Sequence, residues 1–255
     1  MTVRAAETST GAWIRRFHPA PAAGVRLVCF PHAGGAASFY FPVSRALTPD
    51  VEVLALQYPG RQDRRTEPCV EDLGTLADLV TRELDTLHDK PLAFFGHSMG
   101  ATLAFEVARR LRRDGVRLRA LFASGRRAPS VHRDDRVHLS TDAELIADMV
   151  RLGGTDSRLL QDPELVRATL PATRGDYKAV ETYRHVPGPP LDCPLTVLTG
   201  DSDPHVSLAD AEAWAAHTEG EFDLKVFPGG HFFLAAQAAP VIAAVRGRLA
   251  DVVRS

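Results

Sequence analysis

Lysine is scarce in this chain of 255 residues. Lys90, Lys178 and Lys225 are the only lysines among 30 basic residues, and 32 acidic residues leave a formal net charge of −2. A chain without basic excess is not a general nucleic-acid binder. The preference for arginine reads as the base composition of the genome. Cysteine is also scarce. Cys29, Cys69 and Cys193 are odd in number and form no CxxC pair, which excludes a disulfide scaffold and a zinc ribbon. Cys29 lies in an apolar run and reads as a small buried hydrophobe. No uninterrupted apolar stretch reaches the ~18 residues of a membrane span. The best candidate, Phe232 to Val245, is short and contains Gln237 and Pro240. Residues 1–11 lack the apolar core of a signal peptide, so they read as a flexible leader on a cytoplasmic protein.

What remains is ordinary globular composition, 45% hydrophobic and 24% charged, sized for one large domain or two small ones. Short apolar runs alternate with helix-period segments, the pattern of a mostly parallel sheet flanked by helices. The spacing predicts strands at Val25–Pro31, Val51–Gln57, Pro91–Gly96, Arg119–Ser124, Pro194–Gly200 and Asp223–Phe227, with an edge strand at Ala12–Phe17. Apolar residues at 73, 76, 79, 80, 84 and 87 predict a helix over Leu73–His88. Two more helices are expected at Thr102–Arg113, stopped by Gly115, and at Pro240–Val253. From about 130 to 190 no buried-strand run occurs, only helical segments at Asp142–Arg151 and Pro163–Tyr183. This reads as a helical lid inserted into a single domain spanning 12–255.

The strongest chemical signal is Gly96-His97-Ser98-Met99-Gly100, a G-x-S-x-G between an apolar strand and a helix. That context is a nucleophile elbow, in which a strained turn lifts a serine to the N-terminus of a helix. A serine needs a base and an orienting acid, which follow it in that order of acid, then histidine. His231, presented by Pro228-Gly229-Gly230 after the last predicted strand, is the candidate base. His217 sits in a helix-period stretch and reads as a surface residue, and His205 lies too close in sequence to the acid. Asp201 and Asp203 both qualify as the acid. Asp201 suits holding the turn, and Asp203, deeper in the loop, is the choice. For the oxyanion, one donor is the Met99 N–H. The Gly-rich loop Phe30–Ser38 supplies a second, assigned to the Ala33 N–H with His32 as the neighbouring option. No metal-binding spacing is evident.

Five segments together carry a resemblance: FPHAGGAASFY (30–40), LQYPGRQDRRTEP (56–68), GHSMGATLAFEVARRL (96–111), LTGDSDPHV (198–206) and PGGHFFL (228–234). The chain resembles the type II, or editing, thioesterases of polyketide and nonribosomal peptide assembly lines, from about Ile14 to Val252. The resemblance implies an α/β-hydrolase fold with a helical lid. It also implies hydrolysis of stalled or mis-primed acyl groups from the phosphopantetheine arm of acyl or peptidyl carrier proteins. No dissociable cofactor, nucleic acid or membrane is involved on this reading, and the chain is expected to be a monomer. Ser98, Asp203 and His231 match the family triad one by one. Arg61, Arg64 and Arg65 are candidates for docking a phosphate or an acidic carrier, and the plainer reading makes them structural or solvated charges. A general carboxylesterase, a terminal cyclising thioesterase and a non-catalytic carrier-binding module are the alternatives.

Overall fold

Five apolar runs have no polar face because they are covered on both sides, as strands of parallel sheets are. The computed structural model describes residues 11–153 and 162–254. The expected leader therefore lies almost wholly outside the described residues, as does part of the lid. Strands β1 (Ile14–Arg15), β2 (Arg26–Phe30), β3 (Glu52–Leu56), β4 (Leu92–His97), β5 (Ala120–Ser124), β6 (Leu195–Gly200) and β7 (Phe222–Phe227) form one sheet. Its order is β1-β3-β2-β4-β5-β6-β7. All pairings are parallel except β1 with β3, where Ile14 faces Leu56. The edge strand expected over Ala12–Phe17 is only the two residues of β1.

Side chains alternate between the two faces of the sheet. On one face Val28, Phe30, Leu54, Phe94, Leu121 and Val197 pack against helices α2 (Leu73–Leu84) and α3 (Met99–Arg113). On the other, Leu27, Cys29, Val53, Phe95, Phe122 and Leu198 meet α1 (Phe41–Leu47) and the C-terminal helix. Cys29 is wholly buried, and burial raises its thiol pKa. It is a packing residue.

Between β5 and β6 the described residues form a 3₁₀ turn (Val137–Leu139), α4 (Asp142–Leu152) and α5 (Pro163–Thr182), with no strand. Helix α4 opens with a capping box, Thr141 with Glu144, and stops at Gly153 in the left-handed conformation; both are end signals of a helix. Tyr177 of α5 donates to Asp148 of α4 at 2.9 Å, and Tyr183 donates to Glu106 of α3 at 2.8 Å. These helices thus sit as a cap on the C-terminal edge of the sheet. After β6 come α6 (Leu208–Glu212) and, after β7, α7 (Phe233–Ala236) and α8 (Ala238–Arg254). The short helices α1, α6 and α7 carry too few turns to leave a periodic signal in the sequence.

Candidate active site

The elbow explains its own glycines. A Cβ on Gly96 would lie 2.2 Å from the Gly100 carbonyl oxygen, and one on Gly100 would lie 2.1 Å from the Phe30 carbonyl oxygen. Only glycine permits the turn to close this far and α3 to press onto the end of β2. Ser98, between them, takes φ 55° and ψ −121°. A non-glycine residue there carries strain of about 1–3 kcal/mol, which the surrounding packing must hold. The Ser98 N–H donates to the Ser124 carbonyl at 2.8 Å, anchoring the apex to β5.

A second close approach presents the histidine. The Asp201 carboxylate accepts the Gly229 N–H at 3.0 Å, and the Ser202 N–H donates to the Gly229 carbonyl at 3.1 Å. The loops after β6 and β7 are thereby joined. His231 Nδ1 lies 2.8 Å from Asp203 Oδ2, and His231 Nε2 lies 3.0 Å from Ser98 Oγ. The other Asp203 oxygen accepts the His205 N–H at 2.8 Å. Of the two acid candidates, then, Asp203 touches the histidine and Asp201 ties the loops. The Asp203 side chain is fully buried and His231 nearly so.

Neutral rings surround His231. The Phe232 ring stands edge-on to it at 5.2 Å and also meets His32 and His97. Burial first, then the nearby His231, lowers the pKa of His32 to about 3 and that of His97 well below the usual imidazole range. The same two causes lower His205. All three are uncharged at neutral pH, so none of these rings sets a positive charge against His231.

Met99 is the first residue of α3, a position whose N–H has no acceptor within the helix. Ala33 lies in a tight turn. The Gly35 N–H donates to the His32 carbonyl at 2.9 Å and Gly34 has φ 72°, which matches a type II turn. Because the peptide is trans, its carbonyl and N–H point opposite ways. The His32 carbonyl is engaged inside the turn, so the Ala33 N–H points out of it. Ala33, Ser98 and His231 all line a cavity of about 680 Å³, a volume typical of small-molecule sites. The cap closes it with Met149 and Leu152 from α4 and Ala172 and Val180 from α5.

Two of the three docking arginines are corrected by the structure. Arg61 is buried and forks onto Asp176 of α5 at 2.7 and 2.9 Å. Arg64 is buried too, paired with Glu67 at 2.6 Å and stacked 4.4 Å over Trp13. Neither offers its charge to a partner, because each charge is already satisfied inside the fold. Only Arg65 is exposed, at the cavity. His217 is likewise buried rather than on the surface, its Nε2 2.9 Å from Ser130 Oγ, because its 3₁₀ turn packs beside Trp214 and Phe105.

Sequence reasoning missed Asp176 and Arg126. Nothing local marks Asp176, whose partners are 115 and 142 residues away. Arg126 lines the cavity and donates to Thr102 Oγ1 at 3.1 Å. Its position just past the C-terminal end of β5 could have flagged it, since parallel sheets place sites at that edge. Among the described residues no cluster of three or more His, Cys, Asp or Glu side chains converges as metal ligands do.

The thioesterase domain family matches residues 25–249. The chain belongs to the thioesterase family. It is 53% identical over 236 residues to thioesterase PikA5 of Streptomyces venezuelae, covering 92% of this chain and 84% of that one. It is 57% identical over 232 residues to a probable cadicidin biosynthesis thioesterase of Streptomyces griseus, covering 91% of this chain but spanning only 64% of that relative's length. Among solved structures, the type II thioesterase BorB from the borrelidin biosynthetic cluster superposes with a TM-score of 0.88 at 51% identity, over 93% of this chain and 97% of that one. The fold expected from the motifs, an α/β-hydrolase with flanking helices, is borne out, and so is the likeness to type II thioesterases. The protein is a thioester hydrolase. No described helix is long and apolar enough to cross a membrane.

Proposed function

We propose that this thioesterase removes acyl groups from the phosphopantetheine arm of carrier proteins in a polyketide or nonribosomal peptide pathway, through a Ser98 acyl-enzyme. The observation that carries the reading is the continuous row Ser98 Oγ, His231 Nε2, His231 Nδ1, Asp203 Oδ2 at the floor of a cavity roofed by apolar cap residues. Support for the pathway comes from the names of the relatives, which are biosynthetic thioesterases.

Ser98 Oγ attacks the thioester carbonyl while His231 Nε2 takes its proton. The oxyanion receives the Met99 and Ala33 N–H groups. As the C–S bond breaks, His231 returns the proton to the departing thiol. Water then gives a proton to His231 and attacks the Ser98 ester; as the ester C–O bond breaks, His231 passes that proton to Ser98 Oγ and the carboxylic acid leaves. Asp203 holds Nδ1–H and balances the imidazolium charge. On this reading the reaction needs no dissociable cofactor and takes place in the cytoplasm. Arg65, exposed at the cavity, is the remaining arginine for carrier docking.

The test is a panel of acyl groups presented on carrier protein, on free pantetheine and as p-nitrophenyl esters. The proposal expects kcat/KM to be highest on carrier protein. A clear preference for the simple ester would support a general carboxylesterase instead.

A further inference from the structure

The turn that aims the Ala33 N–H has little to hold it from its own sequence. Gly34 is free to rotate, and the Ala33–Gly34 peptide at its centre can flip at little cost in a type II turn; the flip reverses the Ala33 carbonyl and the Gly34 N–H and so loosens the backbone of the residue whose own N–H is the donor. What fixes it comes from the cap. Asp176 Oδ2 on α5 accepts the Gly34 N–H at 2.8 Å and an Arg61 N–H at 2.7 Å, while Asp176 Oδ1 takes the second Arg61 N–H at 2.9 Å. Arg61 also donates to the Gly35 carbonyl at 3.0 Å and to the Pro59 carbonyl at 3.3 Å. Asp176 is 1% exposed and Arg61 6%. The helix presses so close that a Cβ on Gly34 would lie 2.5 Å from Thr173 Oγ1.

We propose that Asp176 and Arg61 are positioning residues for catalysis: together they clamp both sides of the 32–35 turn and so aim the Ala33 N–H at the oxyanion. The cap helix α5 thereby completes the reaction centre as well as roofing the cavity. This rests on the reading of Ala33 as an oxyanion donor. A buried ion pair is a poor device for stability alone, since apolar residues of similar size serve as well or better. Here each partner also bonds a backbone group of the same turn, Asp176 the Gly34 N–H and Arg61 the Gly35 carbonyl, which apolar residues could not do.

The test uses two charge-free double variants of the full chain. Arg61→Met/Asp176→Leu removes the pair and the acceptor for Gly34. Arg61→Met/Asp176→Asn removes the charges but keeps that acceptor. Each is titrated to completion with an alkyl fluorophosphonate, so that turnover is expressed per reactive Ser98. The expected result for the Leu variant is a fall in kcat of about 10- to 100-fold with KM within about threefold. Affinity for a trifluoromethyl ketone analogue of the acyl group should fall in step, because that inhibitor uses the oxyanion donors. The Asn variant should recover most of both. Turnover per site in the Leu variant within threefold of wild type, or equal losses in the two doubles, would overturn the proposal. Should the Leu variant not fold, Asp176→Glu keeps the charge and displaces the carboxylate. It should lose about fivefold or more in kcat per site, and wild-type turnover there would overturn the proposal equally. If wild-type Ser98 failed to react with the fluorophosphonate, the Ser98 mechanism itself would fall, a separate outcome.

Discussion

The turn that carries Ser98 and the helix that carries Asp176 reach the same region by different means. Ser98 is placed by its immediate neighbours, with Gly96 and Gly100 packed to within 2.2 Å and 2.1 Å of backbone oxygens if they bore a Cβ. Asp176 is placed by partners more than a hundred residues away, Arg61 and Gly34. The first arrangement is rigid because backbone meets backbone. The second depends on side-chain pairs between the cap and the sheet. Chemistry that must not move is therefore built into turns at the sheet edge, and the cap is tied down by polar contacts to those turns.

The largest effect expected within the sheet-edge region separates its two aspartates. Asp203→Asn should lower kcat by roughly 10⁴-fold, as loss of the orienting carboxylate does in serine hydrolases. Asp201→Asn retains an oxygen for the Gly229 N–H and should stay within about tenfold of wild type in kcat. Steady-state rates on one thioester decide this, and a larger loss at Asp201 would exchange the two roles.

Glycines test the contrast in rigidity. Gly100→Ala should destabilise the fold by about 3 kcal/mol or more, since the methyl group meets the Phe30 carbonyl. Gly153→Ala, at the end of α4, has φ 75° but open space around the added carbon. It should cost about 1 kcal/mol and leave kcat unchanged. Urea unfolding of both variants measures the difference, and equal losses would erase the contrast.

The smallest effect concerns pH. Burial lowers the His217 pKa from 6.5 to about 4. Between those values the unfolded chain binds the proton and the folded one does not, so stability falls as pH drops from about 6.5 to 4. His32 acts in the same sense, with its pKa lowered by burial to about 3. His217→Gln should therefore lose less stability than wild type over this window, measured by urea midpoint at each pH. A steeper loss in the variant would contradict the assignment.

The same contrast explains what could be read from sequence. G-x-S-x-G, the Gly-Gly before His231 and the paired aspartates of 201–203 are local patterns; β4 and β6, which precede the first and the last, are visible as apolar runs, and β7, which precedes the Gly-Gly, is the half-exposed segment FDLKVF. His217 was misread because its 3₁₀ turn looks amphipathic alone, while in the fold Trp214, Phe105 and Ser130 enclose it. Arg61 and Arg64 looked like a docking patch because their partners are invisible to a reading of charge along the chain. Arg61 pairs across to the cap and Arg64 lies over Trp13.

The central claim is that Ser98 carries the acyl group. Mixing the protein with an acyl-pantetheine thioester, quenching in acid and mapping peptides by mass tests it most directly. The account predicts the acyl mass on the peptide containing Ser98, and neither adduct nor turnover in Ser98→Ala. An adduct on another residue, or thioester hydrolysis by Ser98→Ala at the wild-type rate, would contradict it.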